Sequence, residues 1–331
     1  PSTGALQFGR THPPGRRFRF VTHRLLMTEY GAPLTLSFPS HHALPHCQTC
    51  RGLLFRLRRP LGRTRPTRVA LLYSRSSVLW QPFGYIHMLE RRLTYLSLVH
   101  EQYLVDMLTE QDIEEGRLAD YDVLYATDPC ITGAASQQIR GWVKKGGRLY
   151  ASCAAGSRNE FDEEIGGLSD VFGIQPQMRV TVQPGRYHIR GALNDLKPLD
   201  TVRSGAADGA FAAIGLKVGF IPTSAKVAGT FADGSPAVAV TRYGQGTSTY
   251  AGTCPGISYG RDARFVPREL KERWPAAQRA FINRAASESG AQRLVDLSHP
   301  VVEAGVYDAP GGTALVLGNF TYERIPSLRV R

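Results

Sequence analysis

Lysine is missing from the first 68 of the 331 residues, and acidic side chains are nearly so, Glu29 being the single one. Twelve arginines stand against it, a net +11, so the formal +12 of the whole chain resides almost entirely in its first fifth. Residues 69–331 hold 28 basic and 27 acidic side chains and are close to neutral. A basic nucleic-acid face is therefore not expected on that larger part. Cysteine is scarce too. Five residues, an odd number, cannot build a disulfide scaffold at this length, which points to reduced thiols. No stretch approaches the ~18 uninterrupted apolar residues that a membrane helix needs. No charged-then-apolar leader opens the sequence at Pro1, so a cytoplasmic fragment is expected, with its natural start elsewhere. What is present suffices for a core. Hydrophobic residues make up 42% and charged residues 21%, a globular balance, and the length suits two domains or one with additions.

Residues 1–68 are Arg/Pro/His-rich, with five of the nine histidines. Apolar runs such as Leu25-Leu26-Met27 and Leu53-Leu54-Phe55 hold neither a helical nor a strand period for long. This composition fits a disordered arm, or a GC-rich frame translated out of register. As an arm it could bind polyanions non-specifically through Arg16, Arg17, Arg19, Arg56, Arg58 and Arg59. No aromatic ladder accompanies them, so specific nucleic-acid recognition is not expected. His46, Cys47 and Cys50 offer imidazole and thiolate ligands at CxxC spacing, the one candidate zinc site. The second knuckle that usually completes such a site does not follow, and a chance cluster is the plainer reading.

From Val69 the pattern becomes regular. Val69–Tyr73 is a short apolar run of buried-strand type, with Ser74 and Ser77 placed to cap a following helix. Ile86, Leu89, Leu93, Leu96 and Val99 recur at three and four residues, predicting a helix over about 85–99. Leu104–Leu108 reads as a second strand, 110–116 as a short helix or turn, and Tyr121–Tyr125 as a third strand. Pro129 to Lys145 predicts another helix, stopped by Gly146-Gly147, and Arg148–Ser152 a fourth strand. Alternation at this pace requires helical crossovers on a parallel sheet. The expected fold is α/β, flavodoxin-like and doubly wound, over residues 69–290. Residues 170–230 are less regular, with strands expected at Gln177–Gln183 and Lys226–Phe231. Ala237–Thr241 and Thr247–Gly252 around Gly244-Gln245-Gly246 read as a hairpin, and Pro267–Ser289 as a closing helix. Residues 291–331, with strands expected at Leu294–Val302, Val306–Asp308, Ala314–Phe320 and Leu328–Val330, look like a β-sandwich that stops too early to close.

The order of these segments carries a resemblance. Val-Ala-Leu-Leu-Tyr-Ser from Val69 is followed soon by Trp80, then by Tyr121-Asp-Val-Leu-Tyr125. The helix ending Trp-Val-Lys-Lys-Gly-Gly147 precedes Arg-Leu-Tyr, and Gly167-Leu-Ser-Asp-Val-Phe-Gly173 comes next. Phe231-Ala-Asp-Gly-Ser-Pro-Ala-Val, Arg242-Tyr-Gly-Gln-Gly246 and Tyr250-Ala-Gly-Thr complete the series. Over about three-quarters of its length the chain resembles the trimerisation domain of glycoside hydrolase family 42 β-galactosidases, with the start of the β-domain behind it. The resemblance implies a class I glutamine-amidotransferase-like fold that has lost catalysis, homo-oligomers (commonly trimers), and an adjacent (β/α)8 barrel bearing the two catalytic glutamates. Residues 1–68 cannot supply that barrel, which needs ~200 residues or more. The implied chain has no catalytic residue and no cofactor.

Two motifs imitate catalytic ones. Asn159-Glu160 matches the Asn-Glu dipeptide of glycosidase barrels, but it follows a strand of the α/β part, among Asp162, Glu163 and Glu164. A solvated acidic loop is the better reading. Cys153 is the sharper candidate. It follows the fourth strand with Ala151 and Ala155 flanking, as a nucleophile on a tight strand-to-helix turn requires. A working thiol also needs an imidazole base and an orienting acid. His188 and His299 are not in the His-x-Glu pattern of class I glutaminases, so a relic turn or a buried thiol is the alternative. Cys130 and Cys254 lack ligand-spaced partners. Trp80, Phe83 and Tyr85 are placed to line a surface at the carboxyl edge of the sheet, where ligands sit in open α/β folds, or equally a subunit or barrel interface, which fits the resemblance better. Three function classes follow: a structural portion of a glycoside hydrolase, a cysteine-dependent hydrolase or amidotransferase using Cys153, and a polyanion binder using the N-terminal arginines.

Overall fold

Four short runs of apolar residues, each followed by a helix-forming stretch, set the first half of the architecture. A computed structural model describes residues 66–331, except 176–178, 186, 188–192, 206–208, 264–272, 310–311 and 322, together with two short strands, Phe20–Thr22 and Arg63–Thr64. In chain order the elements are β1 (Val69–Tyr73), α1 (Arg75–Trp80), α2 (Ile86–His100), β2 (Val105–Thr109), α3 (Glu110–Glu114), β3 (Val123–Ala126), α4 (Gly133–Lys144) and β4 (Arg148–Ala151). Then come α5 (Ser169–Phe172), β5 (Arg179–Val182), β6 (Asp200–Ser204), β7 (Ala210–Ala213), β8 (Leu216–Gly219), β9 (Lys226–Phe231), β10 (Pro236–Tyr243) and β11 (Gly246–Ala251). The last are α6 (Pro255–Gly260), α7 (Ala276–Ser289), β12 (Val302–Ala309) and β13 (Gly312–Asn319). Contacts divide the chain into two compact units, one of them Thr67–Arg293 and the other including Leu294–Arg331.

The larger unit is built on a nine-stranded sheet in the order β2-β1-β3-β4-β11-β10-β9-β6-β7. Its first five strands run parallel and its remaining pairings are antiparallel. The expected parallel sheet is thus present over its first five strands, and the antiparallel half beyond them extends it into a mixed sheet. The hairpin foreseen around Gly244–Gly246 is present and joins the two halves, because β11 pairs parallel with β4 and antiparallel with β10. β5 and β8 form a separate two-stranded sheet.

Alternation along the strands explains why these runs are apolar throughout. Ala70, Leu72, Leu124, Ala126, Leu149 and Ala151 face one buried layer, with Ile139 and Val143 of α4. Val69, Leu71, Val123, Tyr125 and Tyr150 face the other, with Phe281, Ile282 and Ala286 of α7. Successive side chains point to opposite faces, so a strand covered on both sides has no polar position left. Caps fix where the helices begin. Ser74 accepts from Ser77 N, Thr109 and Asp112 form a reciprocal capping box, and Thr132 accepts from Ala135 N.

Two expected elements are revised. Of the expected closing helix, residues 267–272 lie outside the described residues; α7 begins at Ala276 with Pro275 at its N-cap, a proline disfavouring helical backbone at the residue before it. Leu294–Val302 is not a strand. Pro300 interrupts it, and the unit's hairpin is instead β12 with β13, packed on Val302, Val306, Leu315 and Leu317. Residues 200–219 hold three strands that the sequence pattern did not reveal.

The β10–β11 turn fits closely under α4. A Cβ on Gly246 would collide with the carbonyl oxygens of Val143 and Gly147, which are backbone atoms and cannot rotate away. Gly246→Ala is expected to cost about 2–3 kcal/mol in urea denaturation, in the range of a forced backbone shift.

Candidate functional site at the carboxyl edge

In an open α/β sheet, ligands sit outside the carboxyl ends of the strands, where the order reverses. Here the reversal lies between β1 and β3. Five segments meet along that edge: Ser74–Ser77 after β1, Glu110 after β2, Thr127–Cys130 after β3, Ser152–Ser157 after β4, and Thr253–Ile257 after β11.

The charged groups buried at this edge each have a partner within the chain, while Asp128 Oδ2, His87 Nε2, Thr127 Oγ1, Ser157 Oγ and Thr253 Oγ1 are buried there without one. Glu110 Oε2 accepts from Arg75 N (3.0 Å) and Ser76 N (3.3 Å), while Oε1 accepts from Thr132 N (3.1 Å). A carboxylate of the chain therefore fills the start of α1, where free amides would otherwise attract an external anion. Glu90, fully buried on α2, does the same for α6. Its oxygens accept from Gly256 N (3.0 Å), Ile257 N (2.8 Å) and Ser152 Oγ (2.8 Å). Burial pushes its carboxyl up to about 7, against the pull of those hydrogen bonds. One turn along the same helix face from His87, Arg91 pairs with Asp128 at 2.6 Å, their side chains 6% and 0% exposed. The guanidinium also lies over the Tyr73 ring, 4.3 Å from its centre. Burial outweighs Arg91 at Asp128 and raises that carboxyl to about 7. His87 Nδ1 lies 3.1 Å from Gly84 O, and burial lowers the ring to about 4, so it is neutral at physiological pH.

Cys153 sits where the sequence places it, directly beyond β4. Its φ of 56°, followed by 58° at Ala154, is the left-handed backbone of a tight turn, an uncommon conformation for residues other than glycine. Its amide donates to Thr253 O at 3.0 Å. The thiol is wholly buried. Desolvation raises it, although a hydrogen bond with the Cys254 thiol opposes the shift, and Cys254 itself is raised further. No imidazole of the described residues hydrogen-bonds Cys153. His100 is instead 2.7 Å from Tyr259 OH, and His188 lies outside the described residues. Cys130 is also buried, its thiol pushed up to about 12 by desolvation and by Asp162. Raised, enclosed thiols are poor nucleophiles. Thiol labelling at pH 7.5 with mass-spectrometric mapping is expected to modify Cys130, Cys153 and Cys254 at least about 100-fold more slowly than in the denatured chain. Selective rapid labelling of Cys153 would reopen the cysteine-hydrolase reading.

Glu160 accepts from Gly133 N at 2.9 Å, and Asn159 Oδ1 accepts from Phe161 N and Glu163 N. This dipeptide organises its own loop. Cys47, Cys50 and His46 lie outside the described residues, as do the other N-terminal histidines and the arginines 16–59. Among the described residues no group of three or more His, Cys, Asp or Glu is placed to hold a metal. Nor is any helix there long and apolar enough to cross a membrane. Sequence reasoning missed Glu90, Arg91, Asp128 and the Cys153–Cys254 contact. The available signal was the charged pair Glu90-Arg91 set between Leu89 and Leu93 of an otherwise amphipathic helix.

No protein-family model matches the chain, and no curated protein does. Solved structures do. A β-galactosidase from Bacillus circulans sp. alkalophilus superimposes with a TM-score of 0.57 at 17% identity, covering 81% of this chain and 40% of that one. Gan42B, a GH42 β-galactosidase from G. stearothermophilus, gives 0.55 at 18% identity over 80% and 39%. A β-galactosidase from the haloarchaeon Halorubrum lacusprofundi gives 0.51 at 16% identity over 80% and 41%. At these identities the likeness is one of fold. The chain spans about two-fifths of the length of the structures it matches.

Proposed function

We propose that the chain is a non-catalytic, structural and oligomerising portion of a β-galactosidase-type glycoside hydrolase, from which the catalytic barrel is separate. The observation that carries this reading is that the buried carboxylates of the edge are engaged by the chain's own amides and by Arg91, although Asp128 Oδ2, His87 Nε2, Thr127 Oγ1, Ser157 Oγ and Thr253 Oγ1 are buried there without a partner. Glu110 and Glu90 fill two helix starts, Asp128 neutralises Arg91, and the Cys153 thiol is raised and enclosed. A catalytic edge keeps such groups free for a substrate. The strand order β2-β1-β3-β4-β11 supports a flavodoxin-like, class I glutamine-amidotransferase-like half, and the left-handed turn at Cys153 suits a relic of such a site. By this reading residues 69–290 are the trimerisation-type domain and residues 291–331 begin the β-domain behind it. The partners are further copies of the chain and the adjacent barrel of the parent enzyme. Size-exclusion chromatography with light scattering tests it. A defined oligomer, a trimer by resemblance, is expected; a strict monomer at tens of micromolar would count against the oligomerising role.

A further inference from the structure

The unpartnered atoms of the carboxyl edge are His87 Nε2, Thr127 Oγ1, Asp128 Oδ2, Ser157 Oγ and Thr253 Oγ1. Their residues are 0% exposed, except Ser157 at 4%. Buried polar atoms without a hydrogen bond are strongly disfavoured, so several on one edge call for a common explanation.

Hydrogen bonds gather them into two groups. Asp128 Oδ1 takes the Arg91 guanidinium at 2.6 Å, and His87 lies one turn before Arg91 on α2. Gly156, the neighbour of Ser157, donates its amide to Asp128 O at 3.0 Å. The second group surrounds the end of β4, which lies between β3 and β11. Ser152 N donates there to Ala126 O at 3.1 Å, and Cys153 N to Thr253 O at 3.0 Å. Thr127 and Thr253 therefore flank the chain as it leaves that strand.

The chemistry of these atoms limits what can satisfy them. Gly84 O can only accept, so His87 Nδ1, 3.1 Å away, carries the ring proton and Nε2 is an acceptor. Asp128 Oδ2 is a second acceptor, with the Ser74 amide facing the same carboxyl. Each hydroxyl both donates and accepts. A cation would meet the Arg91 guanidinium already on Asp128, and an anion would meet Asp128 and Glu110. An apolar molecule would bond none of them. A small neutral molecule that donates and accepts at once fits both groups, and water does so with about two to four partners.

We infer that the carboxyl edge is a permanent hydration site, in which ordered internal water satisfies His87, Asp128 and Ser157, and likewise Thr127 and Thr253. Water held there ties α2 to the segments that follow β3, β4 and β11. The inference stands apart from the scaffold reading, and it assigns these atoms to solvent rather than to a substrate.

A high-resolution crystal structure of the full chain is the first test. Compact density is expected at about 2.7–3.2 Å from Asp128 Oδ2 and from the Thr127 and Thr253 hydroxyls. Thr127→Val and Thr253→Val give the second, since valine keeps the shape and deletes the hydroxyl. Where the hydroxyl holds water, its loss strands that water, and each unfolding constant in urea is expected to rise at least about threefold. A hydroxyl without a partner would be better replaced by valine, leaving the constant unchanged or lowered. Density at neither group, or valine variants no less stable than the unaltered chain, would overturn the inference. So would continuous density for a larger molecule, which would make the edge a ligand site. Galactoside cleavage by the chain would defeat the scaffold reading without altering either readout.

Discussion

Glu90→Ala is expected to destabilise the chain by about 4 kcal/mol in urea denaturation at pH 5.5, and by clearly less at pH 8. The carboxylate is fully buried and is the shared acceptor for Gly256 N, Ile257 N and Ser152 Oγ, with Thr94 Oγ1 nearby at 3.4 Å. The two amides open α6 and have no other acceptor to turn to, and each unsatisfied buried donor costs about 1–3 kcal/mol. The pH trend follows from burial. The native carboxyl titrates near 7, against 4.5 as its ordinary value. Between those values the native chain holds a proton that the unfolded chain has released, so Glu90's contribution falls as pH rises through that window and is flat above it. The full difference is about 3 kcal/mol. The alanine variant has no such slope, so the gap between the two proteins narrows towards pH 8. A gap that widened with pH would contradict the assignment. Glu90→Gln keeps the volume but presents an amide donor to Gly256 N or Ile257 N, and an intermediate loss is expected.

Arg91→Met carries the other large effect, with the opposite dependence on pH. Removing the guanidinium leaves Asp128 buried without its cation, a cost of about 3–5 kcal/mol for a carboxylate forced to remain ionised. Asp128 already titrates near 7 with Arg91 beside it, and Arg91 lowers that value. Without it the carboxyl rises further, the native state keeps its proton at moderately acid pH, and the loss shrinks. The penalty is therefore expected to be largest near pH 8 and smaller at pH 5.5. Arg91→Met combined with Asp128→Leu is expected to recover most of the loss, because a buried pair replaced whole by apolar side chains leaves no orphaned charge. If the double variant were as unstable as the single one, the pair would be stabilising in its own right, for instance through the Arg91–Tyr73 stacking.

How legible each part was in the sequence follows from what each signal reports. The runs Val69–Tyr73 and Arg148–Ala151 announce buried strands because both of their faces are covered, and the caps at Ser74 and Thr132 act within one helical turn. The hairpin turn at Gly244–Gly246 is equally local. Strands β6, β7 and β8 were hidden because they are only four or five residues long, with small and polar residues among them, and β6 and β8 pair with the more distant β9 and β5. The candidate site divides in the same way. Cys153 was visible because a small-residue turn after a strand is a local pattern. Glu90 and Arg91 were not, because their partners Ser152, Gly256 and Asp128 lie between 37 and 166 residues away. On a helix read by period alone, a charged pair at those positions counts as solvent-facing, and only the tertiary contacts reverse the assignment.

The measurement that bears most directly on the scaffold reading is hydrolysis of an aryl β-galactoside by the purified full chain, produced in a host without β-galactosidase of its own. The expected rate equals that of buffer, and it is unchanged in Cys153→Ala. Turnover above buffer that follows the chain through successive chromatographic steps would place a working catalytic site on this polypeptide and contradict the account.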